Sequence, residues 1–130
     1  MGKIRYLLDT HVVMWCALSP KKLSQAAKDV ILDSNADKYV SIVSAWEFTF
    51  KHSLGKLDLD GGIGGFFQIL DENSFTILGM ERLYVHKLAR LPGIHHDPFD
   101  RMLISTALVE EMRLVTADRN IRKYDVSQVW

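Results

Sequence analysis

The sequence has a single cysteine, no net charge and no long hydrophobic run. Cys16 alone cannot form an internal disulfide, so we expect a reducing, cytoplasmic setting. A membrane-spanning helix needs roughly 18–20 consecutive apolar residues; because no run approaches that length, we expect no membrane association. Residues 1–5 also lack the apolar segment of a secretory signal.

Charge is balanced, with sixteen Lys and Arg against sixteen Asp and Glu. Taken alone, this balance argues against a strongly basic nucleic-acid-binding protein. Low net charge together with a hydrophobic content of 48% excludes an intrinsically disordered chain. The length of 130 residues suits one compact core, and we expect residues 1–130 to form a single domain.

Short β-prone runs alternate with helical patterns along the whole chain. The predicted strands are 4–8, 38–43, 75–78, 114–116 and an edge strand at 126–129. The predicted helices are 11–18, 24–34, 44–54, 66–71, 81–90 and 97–111, with a helical turn at 120–124. This alternation is typical of an α/β domain with a central, mostly parallel four- to five-stranded sheet flanked by helices.

Two local patterns carry specific expectations. Ser44 followed by Glu47 has the form of a capping box, which predicts that the third helix begins at Ser44. The cluster Gly61–Gly65 resembles a phosphate-binding loop, but no Lys-Ser or Lys-Thr pair follows it. We therefore expect a flexible loop at 55–65.

Four acidic residues stand near the ends of predicted strands. Asp9 closes the first strand, and Glu47 lies in the helix after the second. Asp100 opens the helix before the fourth strand, and Asp118 lies just past that strand. Since parallel strands end at one edge of a sheet, these acids from distant parts of the chain are expected to meet there.

Taken singly, each of these acids is explained as a helix cap or a surface residue. Asp97 in particular suits the N-cap of the helix that begins at Pro98. As a group, acids on one rim would repel each other unless a cation offset them. Mg²⁺ and Mn²⁺ prefer carboxylate oxygen and keep positions open for phosphate, which points to water activated by the metal and attacking a phosphodiester.

The same residues carry a family resemblance. The chain resembles the PIN-domain ribonucleases, specifically the VapC-like toxins of type II toxin–antitoxin systems, from Tyr6 to its C-terminus. The segments that match are Leu7-Leu8-Asp9-Thr10-His11, Ser44-Ala45-Trp46-Glu47 with Lys51 and Gly55-Lys56-Leu57, Leu91-Pro92 with His95 to Ile104, and Thr116-Ala117-Asp118.

The resemblance implies a three-layer PIN-like domain that is an Mg²⁺- or Mn²⁺-dependent endoribonuclease acting on tRNA or rRNA. It implies that Asp9, Glu47, Asp100 and Asp118 form the catalytic, metal-binding quartet, with Asp97 as a further acid. The expected partners are an RNA substrate, a small antitoxin protein that covers the site, and a second copy in a homodimer or larger toxin–antitoxin assembly.

Several neighbours of the quartet are weaker candidates for contacts with substrate or with the quartet itself. Thr10 and Thr116 match small hydroxyl positions of the family, and His11 lies one turn into the first helix. Arg101 and Arg119 follow acids directly and are candidates for binding the RNA backbone. If the acids gather at one rim, basic residues are in excess over the remaining surface, so zero net charge does not exclude RNA binding.

Two other features have simpler structural interpretations. Lys51 lies four residues after Glu47 on the same predicted helix, so the two are expected to pair. His95 and His96 precede the Asp97-Pro98 pair, and we expect them to make loop contacts rather than to bind one metal.

Other functions compete with this hypothesis. A phosphatase of the haloacid dehalogenase type needs a second Asp two residues after the first, where His11 stands. A receiver domain needs an acid pair and a phosphoacceptor Asp on a middle strand, and neither is visible in the sequence. A catalytically silent RNA-binding or regulatory PIN module, or a housekeeping PIN nuclease, stays open.

Overall fold

The computed structural model describes residues 3–130, and across them five strands form one sheet in the order β3-β2-β1-β4-β5. Every neighbouring pair in this sheet is parallel. The strands are β1 (Arg5–Leu8), β2 (Asp37–Ser41), β3 (Thr76–Leu78), β4 (Arg113–Val115) and β5 (Gln128–Val129). The predicted α/β class with a parallel sheet is confirmed.

Six α-helices lie within the described residues: α1 (Thr10–Leu18), α2 (Gln25–Leu32), α3 (Ile42–Ser53), α4 (Gly62–Glu72), α5 (Arg82–Leu88) and α6 (Pro98–Glu110). One short 3₁₀ turn, Pro20–Lys22, follows α1, and a second, Ile121–Lys123, follows β4. Among residues 3–130, no helix has both the length and the apolar character that crossing a membrane requires.

The core is divided by the sheet, because successive side chains of a strand point to opposite faces. Leu8 packs with the cluster that contains Val12 of α1 and Phe48 of α3. Leu7, its neighbour in β1, packs with Leu103 of α6 on the other face. Helices therefore cover both faces of the sheet, which confirms the three-layer arrangement.

Helix α3 begins earlier than the sequence pattern predicts. Its N-cap is Ser41, whose Oγ accepts a hydrogen bond from the Val43 N–H at 3.0 Å. Ser44 is instead buried within the helix, and among residues 3–130 its Oγ finds no partner. The capping box predicted at Ser44 is therefore wrong: the β-branched pair before it, which favours a strand in isolation, forms the first turn of α3.

The glycine cluster is also ordered differently from the prediction. Gly62 to Gly65 form the first turn of α4, so the flexible loop predicted to extend through residue 65 is wrong. A Cβ on Gly65 would lie 2.1 Å from the backbone oxygen of Asp60, so the loop and the helix approach too closely for any side chain there. Burial of Phe66, Ile69 and Leu70 stabilises the helix despite its glycines.

Candidate active site

Asp9 lies directly after β1 at the carboxyl edge of the sheet, and it is almost completely buried. It precedes α1 as the N-cap residue, yet its side chain makes no capping hydrogen bond. Instead, Thr116 after β4 donates from Oγ1 to Asp9 Oδ2 at 2.7 Å. Helix capping therefore does not account for the carboxylate of Asp9.

Glu47 reaches the same edge from α3 and is only 2% exposed. Thr10 Oγ1 donates a hydrogen bond to Glu47 Oε1 at 2.6 Å. Lys51 Nζ donates to Glu47 Oε2, which confirms the predicted pairing of these two residues. Both carboxylate oxygens of Glu47 are thus held by side chains of this chain.

Asp100 stands in the first turn of α6, where its backbone N–H donates to Asp97 Oδ1 at 3.0 Å. The N-cap role predicted for Asp97 is confirmed by this hydrogen bond. His95 Nε2 lies 2.9 Å from Asp100 Oδ2. His95, Asp97 and Asp100 each offer a ligand atom, and these atoms lie within 4.8 Å of one another.

The contact from His95 to Asp100 was not predicted from the sequence, which assigned His95 to loop contacts. His95 belongs to an irregular segment before α6, where no periodicity relates one side chain to another. The feature of the sequence that indicates this contact is that His95 lies five residues before Asp100, an acid of the predicted quartet.

Burial and neighbouring negative charges raise the pKa values of Asp9 and Asp100. Burial raises the pKa of Asp9, and the nearby charge of Glu47 adds to the effect, while the hydrogen bond from Thr116 opposes it. The pKa of Asp100 is raised to about 7, first by burial and then by the charges of Asp9, Asp97 and Glu47. The structure therefore brings these four acids close enough to repel each other.

The ammonium group of Lys51 lies among these acids. Partial burial lowers the pKa of Lys51, but the hydrogen bond and charge of Glu47, helped by the charges of Asp97 and Asp100, outweigh burial and raise it. Lys51 therefore stays protonated at neutral pH and offsets part of the negative charge of the cluster.

Asp118 lies beside Asp9 at a cleft of about 150 Å³ that His11, Trp15 and Ala117 also line. Its backbone N–H donates to Thr116 Oγ1 at 3.0 Å. Its Oδ1 accepts hydrogen bonds from the N–H groups of Asn120 and Ile121 at 2.7 and 3.2 Å. Asp118 thus orders the turn after β4 while standing at the rim of the site.

The family model of the PIN domain matches residues 6–127 of this chain. The chain belongs to the PIN domain family. The predicted resemblance to VapC-like PIN domains is also confirmed. Ribonuclease VapC22 of Mycobacterium tuberculosis is 30% identical to this chain over 119 residues, which span 91% of this chain and 90% of that protein.

Solved structures share the fold of this PIN domain. VapBC2 of Rickettsia felis, bound to a DNA fragment from its promoter, superimposes with a TM-score of 0.72 at 15% identity, covering 96% of this chain and 97% of that one. VapBC-1 of nontypeable Haemophilus influenzae gives a TM-score of 0.66 at 16% identity, with 96% of each chain covered.

The remaining candidate residues of the PIN domain have different surroundings. The Arg101 guanidinium donates to the backbone oxygens of Pro92 and His95 at 2.8 and 3.3 Å and to the Tyr124 hydroxyl at 3.0 Å. Arg101 therefore orders the loop that carries His95, and its contact with RNA stays a prediction. Arg119 is exposed just beyond Asp118.

The donor set of this PIN domain fits a hard divalent cation. Two of the three clustered donors, Asp97 and Asp100, offer carboxylate oxygens, the ligands that Mg²⁺ and Mn²⁺ prefer. The third, His95, lies against Asp100 Oδ2, and the single cysteine of the chain is not among them. The raised pKa values of Asp9 and Asp100 express the cost of burying negative charges close together, a cost that Lys51 offsets only in part. A bound cation would remove that cost.

Proposed function

We propose that this PIN domain is a metal-dependent endoribonuclease, the toxin of a type II toxin–antitoxin system that cleaves RNA of the tRNA or rRNA class. The observation that carries the proposal is the convergence of buried Asp9, Glu47 and Asp100 at the carboxyl edge of the sheet. The relationship to Ribonuclease VapC22 supports the same activity.

The cation in this proposal is Mg²⁺ or Mn²⁺. Asp9 and Asp100 would hold it, with Asp118, Asp97 and Glu47 contributing directly or through water. When bound, such a cation supplies Lewis acidity for the attacking water and for the leaving oxygen of a phosphodiester.

The chain's own side chains position these groups. Thr116 fixes one oxygen of Asp9 through its 2.7 Å hydrogen bond, and His95 lies 2.9 Å from an oxygen of Asp100. Thr10 holds Glu47 from the first turn of α1. His11 and Arg119, which border the same edge, are proposed to contact the RNA near the bond that is cut.

We also propose a small antitoxin and a second copy of the chain as partners. The support for the antitoxin is that the matching structures from Rickettsia felis and Haemophilus influenzae are VapBC complexes; the second copy is what the family resemblance implies. A cytoplasmic location stays a prediction from the cysteine content.

The proposed activity is tested by incubating the purified protein with tRNA and rRNA in Mg²⁺, in Mn²⁺ and in EDTA. We expect cleavage that EDTA abolishes and that added metal restores. Cleavage without metal would contradict the proposal, and no cleavage of any RNA would favour a silent RNA-binding module.

Variants assign the activity to the site. Asp9→Asn and Asp100→Asn should abolish metal-dependent cleavage while the far-ultraviolet circular dichroism spectrum stays that of the wild type. Asp71→Asn is the matched control, because Asp71 is an exposed acid on α4, outside the cluster. Full activity of both site variants would overturn the assignment.

A further inference from the structure

Lys51 is a cation within the acidic site, where it pairs with Glu47 and offsets part of the negative charge. Its side chain is mostly buried, with 23% exposed. Its Nζ donates to Glu47 Oε2 and lies 6.0 Å from the centre of the Phe99 ring. Lys51 belongs to α3 and faces the first turn of α6 through Phe99, and the charges of Asp97 and Asp100 also act on it.

Glu47 holds the ammonium group of Lys51 in position, and in this sense it is the anchor of the lysine. Its two oxygens accept hydrogen bonds from Thr10 and Lys51, and its side chain is buried. A carboxylate whose oxygens are both engaged in this way holds its neighbours in place. Glu47 therefore fixes the ammonium group of Lys51 at the edge of the sheet.

The ammonium group keeps donors for a ligand. It carries three N–H groups, and within residues 3–130 it makes one hydrogen bond. Because part of the side chain remains exposed, an anion that enters the site can reach it.

An RNA phosphate that approaches this site meets the carboxylates of Asp9, Asp97 and Asp100, whose negative charge one divalent cation would offset only in part. Like charges disfavour that approach, so a cation of the protein at the same place assists binding. Lysine suits this task, because its compact ammonium binds phosphate as a point charge.

We propose that Lys51 binds a non-bridging oxygen of the RNA phosphate at the acidic site, and that Glu47 is its anchor. The inference deepens the proposed ribonuclease function and rests on it. Lys51 contributes charge and orientation in this role; it exchanges no proton and forms no covalent bond. The competing explanation is an ion pair between helix residues i and i+4 that only neutralises Glu47.

The test measures the affinity for a short fluorescein-labelled single-stranded RNA over a series of salt concentrations. Ca²⁺ replaces Mg²⁺, under conditions in which gel analysis verifies that the RNA stays intact. Each phosphate contact on a single strand contributes about 0.7 to the slope of log K against log salt. Lys51→Met should flatten this slope by about 0.7, and Lys51→Arg, which keeps the charge, should retain it.

Two further variants separate the explanations. Lys21→Met removes an exposed charge beyond the C-terminal end of α1, away from Asp9, and should leave the slope unchanged. Glu47→Gln combined with Lys51→Met leaves no unpaired carboxylate, so it gives a folded protein to measure if Lys51→Met alone unfolds. The proposal expects this double variant to keep the flattened slope.

A wild-type slope in Lys51→Met, or recovery of that slope in the double variant, would overturn the proposal. Absence of RNA binding by the wild type would also overturn it. RNA that binds but is never cut in Mg²⁺ would contradict the proposed ribonuclease function instead, while the comparison of slopes still decides whether Lys51 contacts phosphate.

Discussion

Thr116 Oγ1 donates a 2.7 Å hydrogen bond to Asp9 Oδ2 across 107 positions of the chain. The two residues follow β4 and β1, which are adjacent parallel strands of the sheet. Both are buried, so the bond holds a charged group in a place where water cannot replace the donor. One short contact thereby links the sheet register to the geometry of the acidic site.

Replacing Thr116 by Val keeps the shape of the side chain and removes both the donor to Asp9 and the acceptor for the Asp118 N–H. Because the hydrogen bond lowers the pKa of Asp9, its loss should raise that pKa further. We expect the free energy of unfolding in Mg²⁺, measured by urea denaturation, to fall by about 1.5–3 kcal/mol, the range for a hydrogen bond to a charged group. Thr116→Ser keeps the hydroxyl and should lose less; an equal loss in both variants would assign the effect to packing.

The pKa of Asp100 gives the stability of the metal-free protein a defined dependence on pH. It is raised from its ordinary 3.8 to about 7 in the folded state, chiefly by burial. The contribution of Asp100 to the free energy of unfolding is therefore fully present below about pH 4. It falls as the pH rises from about 4 and is lost once the pH has passed about 7. In EDTA the melting temperature of the wild type should fall over that interval, as followed by circular dichroism.

Asp100→Asn removes this titrating group, so its melting temperature should fall less steeply and should exceed that of the wild type at about pH 8. Asp71→Asn, an exposed acid on α4, should follow the wild type. Parallel curves for the wild type and Asp100→Asn would contradict the raised pKa.

The convergence of acids was predictable because it depends on topology alone. Asp9 follows a strand, Asp100 opens a helix that precedes one, and parallel strands place such positions at one edge. The N-cap role of Asp97 was predictable because it depends on local sequence, with Pro98 following it.

Contacts that depend on irregular backbone could not be predicted in this way. His95 reaches Asp100 because Arg101 and the Tyr124 hydroxyl bind the backbone of the 92–95 loop, and Tyr124 is distant in sequence. The start of α3 was misplaced for a different reason: Ser41 and Ser44 both suit a cap, and tertiary packing decides between them.

Alanine substitutions at these two serines distinguish the observed cap from the predicted one. Ser41→Ala removes the hydrogen bond to the Val43 N–H and should cost about 0.5–2 kcal/mol in the free energy of unfolding. Ser44→Ala removes a buried hydroxyl that has no partner among residues 3–130, so it should leave that free energy unchanged or raise it. Urea denaturation of both variants measures the difference, and the opposite order would restore the capping box at Ser44.

Two neighbouring glycines of α4 should respond to alanine with opposite signs. A Cβ on Gly65 would meet the Asp60 backbone oxygen at 2.1 Å, so Gly65→Ala must displace the loop before α4 and should cost about 1–3 kcal/mol. Gly64 has nothing within 4 Å of the corresponding position, and it lies in the helix. Gly64→Ala should therefore raise the free energy of unfolding by about 0.5–1 kcal/mol through helix propensity.

The pair is a matched test, because the two residues share a helix turn and differ only in what surrounds them. Guanidinium or urea denaturation gives both values. Equal and small effects would mean that the 55–65 segment is mobile enough to move away from the new methyl group, which is the flexible loop that the glycine content predicts. A loss confined to Gly65→Ala would establish close packing of Asp60 on α4.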